Sequence, residues 1–135
     1  MAGGRSQRHM SDIQGGDSIA EALRITGSVA GTAVDDVDVI STLTVTIARV
    51  DNGPPPSISV RATIDSPLVA GFLTGPQGAG DVDALSNNAT VEWETNNAGV
   101  ALFNLRHLAA GSGTITFTTQ PATDVAINTV AVTTN

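Results

Sequence analysis

The chain has 135 residues and a formal net charge of −7; only 3% of it is aromatic, and it contains neither cysteine nor tyrosine. Its six basic residues are all arginines, set against 13 acids. This composition excludes disulfides and thiolate metal sites, and it argues against nucleic acid as a partner, because phosphate binding requires a basic face.

The N-terminus carries no apolar segment of the kind that exports or anchors a protein. It lacks the apolar core of a signal peptide, and no run approaches the ~18 apolar residues that a membrane helix needs. We therefore expect no membrane partner. Either the protein is used without export or its signal has already been removed.

Residues 1–26 are predicted to form an extended arm followed by a short helix. Residues 1–18 have almost no large apolar side chain, so by themselves they cannot offset the entropy of ordering. The stretch DSIAEALRI, residues 17–25, has a capping residue and apolar side chains at helical spacing, with Gly27 to end the helix.

The arm is open to two interpretations, a solvated tail or a segment that becomes ordered on neighbouring subunits. Glycine pairs would let the arm follow a partner's surface, and its arginines could pair with acids there. We carry the second interpretation forward. The candidate partner-binding residues are Gly3, Gly4, Arg5, Arg8, Gly15 and Gly16.

Residues 27–135 are predicted to form an antiparallel sandwich of seven to nine short strands. Residues 41–48 and 57–64 alternate apolar side chains with Thr, Ser or Arg, which is typical of half-buried strands. A further strand is expected over 89–94 and a last one near 127–133, while 75–88 is expected to be a long loop. The predicted core is Leu43, Val45, Ile47, Ile58, Val60, Val91, Trp93, Ala101, Phe103, Leu105, Ile115 and Phe117.

The stretch TNNAGVALFNLRHLAAGSGTITFTT, residues 95–119, contains two alternating runs, each introduced by small and turn-forming residues. Asn and Gly supply the positive-φ positions of a tight turn. Small and large apolar residues then alternate along one face, which suits packing between two sheets.

This stretch resembles the signature of bacterial immunoglobulin-like domains of the invasin and intimin type. In that signature a turn ending in Gly is followed by x-Ala-x-apolar-x-Leu, a small-residue turn and an alternating strand. The resemblance implies an immunoglobulin-like sandwich, a module that tailed-phage particles also carry on their surfaces. The family's Asp-x-x-Gly-x-Pro-Val is replaced here by residues 65–69, DSPLV. The matching positions are Gly99, Ala101, Phe103, Leu105, Gly111, Ile115 and Phe117.

The sequence offers few groups for catalysis or metal binding. Of the two histidines, His9 lies in the arm, and His107 follows the inward-facing alternation at a strand end, which favours a structural role. Asp81, Asp83 and Asn87 have oxygen-ligand spacing but lack the Gly and distant Glu of a known calcium loop. We expect no enzyme activity, cofactor or metal.

The hypothesis that we carry forward is a structural protein of a tailed-phage virion: a capsid decoration or other head- or tail-associated protein. Its partners would be capsid or tail subunits or further copies of itself. The alternative is a cell-surface or filament adhesion module of a bacterium. An enzyme or a carbohydrate-binding module is disfavoured, since stacking on sugars needs more Tyr and Trp than this chain has.

Overall fold

The computed structural model describes residues 24–74, 83–120 and 125–135, with the side chains of 83–86 left aside. These ranges are all-β, with no helix among them. They form ten strands: β1 (Ile25–Ala30), β2 (Ala33–Asp35), β3 (Ile40–Arg49), β4 (Ser59–Ile64), β5 (Ala70–Thr74), β6 (Asp83–Asn88), β7 (Thr90–Glu94), β8 (Val100–His107), β9 (Gly111–Gln120) and β10 (Val130–Thr134).

The strands make two five-stranded sheets. The first has the order β1-β3-β8-β5-β6, and the second has the order β2-β10-β9-β4-β7. In immunoglobulin-like sandwiches, four strands named A, B, E and D form one sheet, while C, F and G form the core of the other. Here β1-β3-β8-β5 and β10-β9-β4 occupy those positions, so the predicted immunoglobulin-like β-sandwich is confirmed by the strand order.

The sequence predicts an antiparallel sandwich, but one pair of strands in the structure is parallel. β2 pairs in parallel with β10, with Ala33 beside Val132 and Asp35 beside Thr134. The chain leaves the first sheet after β1, crosses at Gly31 and Thr32, and joins the edge of the second sheet as β2. β2 keeps the direction of β1 on the opposite sheet, and it therefore lies parallel to its neighbour β10.

The core lies between the inner faces of the two sheets. The burial pattern of β3 alternates strictly from Ser41 to Ile47, and that of β8 does so from Ala101 to His107, as period-two side-chain placement requires. Eleven of the predicted core residues are buried, and Trp93 is half-buried against the same cluster. The core adds Ala33, Ala62, Ile64, Ala70, Phe72 and Val132, among others.

Three local predictions need correction. The predicted helix would have included Ile25 and ended at Gly27, but both residues lie in β1, where Ile25 packs against the core; residues 17–23 lie outside the described ranges. The predicted loop over 75–88 includes a strand, β6, from Asp83. The predicted final strand begins later, at Val130.

The two ends of the sandwich carry different segments. At one end the chain enters β1, where the Arg24 carbonyl accepts a hydrogen bond from the Val50 N–H; we call this the arm end. The opposite end holds residues 36–39 before β3, the β4–β5 turn at 65–69 and the β8–β9 turn at 108–110. We call it the acidic end, because Asp35, Asp36, Asp38 and Asp65 lie there.

Candidate functional site

The most chemically distinctive group in the described ranges is a buried histidine network at the acidic end. His107 ends β8 and is fully buried. Its Nε2 lies 2.8 Å from Ser41 Oγ, and its Nδ1 lies 2.6 Å from Thr134 Oγ1. Ser41 and His107 belong to the first sheet and Thr134 to the second, so this network links the two sheets.

The hydrogen bonds assign the protonation state of His107. Thr134 Oγ1 donates to the Val69 carbonyl at 3.3 Å, so it accepts from Nδ1–H, and Nε2 then accepts from the Ser41 hydroxyl. Each of the three side chains has a partner, as buried polar groups require. Burial lowers the pKa of His107, and the carboxylate of Asp35 opposes this shift only in part.

A Ser–His hydrogen bond is also found in nucleophilic catalysis, but this pair is closed from solvent. Ser41 is 6% exposed and His107 is 0% exposed, so a substrate has no access to Ser41 Oγ in this conformation. The network joins sheets and fixes the C-terminal strand. This agrees with the structural role predicted for His107, which ends β8 in the middle of its sheet.

The sequence-predicted partner-binding residues belong to the arm, ahead of the described ranges. Gly3, Gly4, Arg5, Arg8, Gly15 and Gly16 all lie outside the described ranges, and they remain predictions.

The oxygen-ligand spacing of Asp81, Asp83 and Asn87 falls only partly within the described ranges. Asp81 lies outside the described ranges, Asp83 begins β6, and Asn87 is exposed near the end of that strand. Within the part of the chain that the structure describes, no group of three or more His, Asp or Glu side chains is placed to hold a metal ion.

Hydrogen bonds and ion pairs tie several exposed acids into the fold. The Thr114 N–H, together with the hydroxyl of Ser66, lowers the pKa of Asp65. Arg106 forms an ion pair with Asp38 at 3.2 Å. These contacts hold the turns of the acidic end in place, although exposed pairs of this kind contribute little to stability by themselves.

An open cleft of about 340 Å³ lies beside the crossover from β1 to β2. Its walls come from Val29, Gly31–Val34 and Asn128–Ala131, and none of these residues is charged. The cleft therefore offers apolar and neutral polar contacts but no acid or base. No helix in the described ranges is long and apolar enough to cross a bilayer.

No protein-family model matches the sequence, and no curated protein matches it. Among solved structures, the chain is similar to the crystal structure of the CARDB domain of the PF1109 protein from Pyrococcus furiosus in complex with di-metal ions. The two are 19% identical over 82% of this chain and 87% of that one, with a TM-score of 0.48. A solution NMR structure of the same domain is 17% identical to this chain over 82% of this chain and 93% of that one, with a TM-score of 0.48. Likeness at this level carries no argument about function, and the immunoglobulin-like assignment rests on the strand order given above.

Proposed function

We propose that the protein is a structural, non-enzymatic component of a tailed-phage virion. It would serve as a capsid decoration or other head- or tail-associated protein that is made in the host cytoplasm. Its N-terminal arm, the segment that precedes β1, would fasten it to capsid or tail subunits or to further copies of itself.

The observation that carries this proposal is where the arm joins the fold. The chain enters the sandwich at Ile25, the first residue of β1, and β1 is an edge strand of the first sheet. The residues before Arg24 are thus attached at one end and one edge of the sandwich. They can reach a neighbouring subunit without any rearrangement of the core, in a manner akin to strand addition at sheet edges.

The resemblance to invasin-type domains gives a second line of support. Its matching positions fall on β8, β9 and the turns before them, and Gly99 has the positive φ, 79°, that such a turn needs. A rigid sandwich of this type suits a surface module that is held by assembly contacts. The proposed role is thus one of binding and assembly.

Fractionation of phage-producing cells tests this proposal. Cells that carry the gene would be induced or infected, and particles would be purified on a density gradient, with the protein measured by quantitative mass spectrometry. We expect it to band with particles at a fixed ratio to the major capsid protein. Recovery in the cell envelope instead would refute the virion role and favour the bacterial adhesion module.

A further inference from the structure

The exposed apolar side chains of the described sandwich are concentrated at one end. The large hydrophobic residues with substantial exposure are Val34, Val37, Val39, Ile40, Val50 and Leu68. All except Val50 belong to β2, to the start of β3 and the segment leading into it, or to the β4–β5 turn, which lie at or next to the acidic end. Leu68 is the most exposed, at 84%.

Backbone hydrogen bonds place these segments side by side. The Asp38 N–H donates to the His107 carbonyl at 2.8 Å, and the Leu108 N–H donates to the Val69 carbonyl at 2.8 Å. The segment before β3, the β8–β9 turn and the β4–β5 turn are therefore consecutive neighbours. We call Val37, Val39 and Leu68 the end patch; grouped exposure of this kind marks interaction surfaces, whereas single exposed residues do not.

The rim of the end patch is negatively charged. Asp35, Asp36, Asp38 and Asp65 lie on the segments that form this end, and Arg106, which pairs with Asp38, is the basic residue among them. A ligand for this surface must therefore combine apolar side chains with positive charge, because like charges at a rim suppress binding.

One segment of the chain has that composition. Residues 1–10, MAGGRSQRHM, contain Arg5 and Arg8 and no acid, and they begin and end with methionine. These two arginines are a third of the six basic residues in a protein that otherwise carries an excess of acids. The segment is thus complementary to the acidic end in both charge and apolar character.

We propose that the end patch of one copy binds residues 1–10 of a neighbouring copy, head to tail. This inference rests on the proposed docking function of the arm and names its receptor surface. The arm joins the sandwich at the arm end, while the patch lies beyond the other end of β3, whose 10 residues span about 33 Å. Stacking two copies end to end brings the two elements together, and the contact repeats along a line or closes into a ring.

Disulfide trapping tests the contact directly, because the full chain has no cysteine. Ser6→Cys would be combined with Ala110→Cys, an exposed position in the β8–β9 turn. Head-to-tail docking predicts a ladder of covalent oligomers on a non-reducing gel after mild oxidation. The matched control joins Ser6→Cys with Asn97→Cys, an exposed turn position at the arm end, and should give no more ladder than random collisions do.

Two outcomes of the trapping experiment would overturn the inference. A closed monomer with an internal disulfide would show that the arm binds its own sandwich. Equal ladders from the Ala110 and Asn97 pairs would show that the acidic end is not a receptor.

Sedimentation of the cysteine-free full chain supplies the second measurement. We expect Leu68→Ser and the double variant Arg5→Ser/Arg8→Ser each to weaken self-association about ten-fold or more, as loss of a binding anchor does. Val50→Ser changes an exposed valine at the arm end and should have no effect. Association should also be stronger at roughly 20 mM than at roughly 500 mM salt. Equal association by the Leu68 and Val50 variants would refute the end patch.

These results are separable from the fate of the proposed function. A ladder from the Ala110 pair with no protein in purified particles would support this inference while removing the virion role. Protein in the particles with no such ladder would remove this inference alone.

Discussion

Truncation of Phe103 should be among the most damaging substitutions in the sandwich. Phe103 is fully buried on β8 and makes edge-to-face contacts with Phe72, at a ring-centroid distance of 6.3 Å, and with Phe117, at 5.7 Å. Removal of a buried aromatic ring costs about 3–5 kcal/mol, and each aromatic pair adds about 0.5–1.5 kcal/mol beyond area burial. We expect Phe103→Ala to lower the free energy of unfolding by about 4–5 kcal/mol.

Urea unfolding followed by circular dichroism measures this effect. For a domain of this size, a loss of about 4 kcal/mol lowers the melting temperature by roughly 12–20 °C. Phe103→Leu keeps apolar volume but removes both ring contacts, so its cost should fall between zero and that of the alanine variant. Val50→Ala, at an exposed position outside the end patch, is the control and should change stability by less than about 0.5 kcal/mol. A loss below about 1 kcal/mol in Phe103→Ala would show that the residue does not lie where the two sheets meet.

Three further predictions concern the rest of the fold. Because burial lowers the pKa of His107, the unfolded chain takes up a proton more readily than the folded one, so stability should fall as pH drops below about 6.5. The loss that begins at about pH 6.5 should be absent from His107→Asn and present in His9→Gln, while the carboxylates still lower stability at more acid pH. An unchanged pH profile in His107→Asn would contradict the assignment. Gly99→Ala should cost about 2 kcal/mol or more in urea unfolding, because φ is +79° and a Cβ would lie 2.2 Å from the Ile47 carbonyl oxygen, whereas Asn97→Ala should be nearly neutral. Addition of a chelator should leave the melting temperature of the full chain unchanged, and a marked decrease would reveal a metal that supports the fold.

Strand identity could be predicted where hydrophobic alternation is strong. In β3, β4, β8 and β9 each apolar residue is followed by Thr, Ser or another residue that suits the outer face, so a strand is the only element that buries the apolar set. β1 lacked this signal. The sequence of β1, ITGSVA, is rich in small residues and follows residues that are compatible with a helix. Its strand form depends on pairing with β3, a contact that the local sequence does not encode.

The histidine network shows a different limit. Alternation along β8 placed His107 on the inner face, and an inward histidine needs polar partners. Its partners depend on the parallel addition of β2 and on the register of β10. That register brings Thr134 beside Gly111 and close to His107. The end patch was likewise unpredictable, because Val37 and Leu68 lie 31 positions apart in the sequence, and only the fold brings their segments to the same end of the sandwich.

The role proposed for the arm is attachment of the sandwich to its assembly. The most direct test pairs the full chain with a variant lacking residues 2–16 and measures both melting temperature and copy number in gradient-purified particles. We expect an unchanged melting temperature, because Ile25 is the first described residue that packs against the core, together with a strong loss of incorporation. Equal incorporation of both chains would contradict the claim, and unfolding of the shortened chain would show instead that the arm belongs to the sandwich's own core.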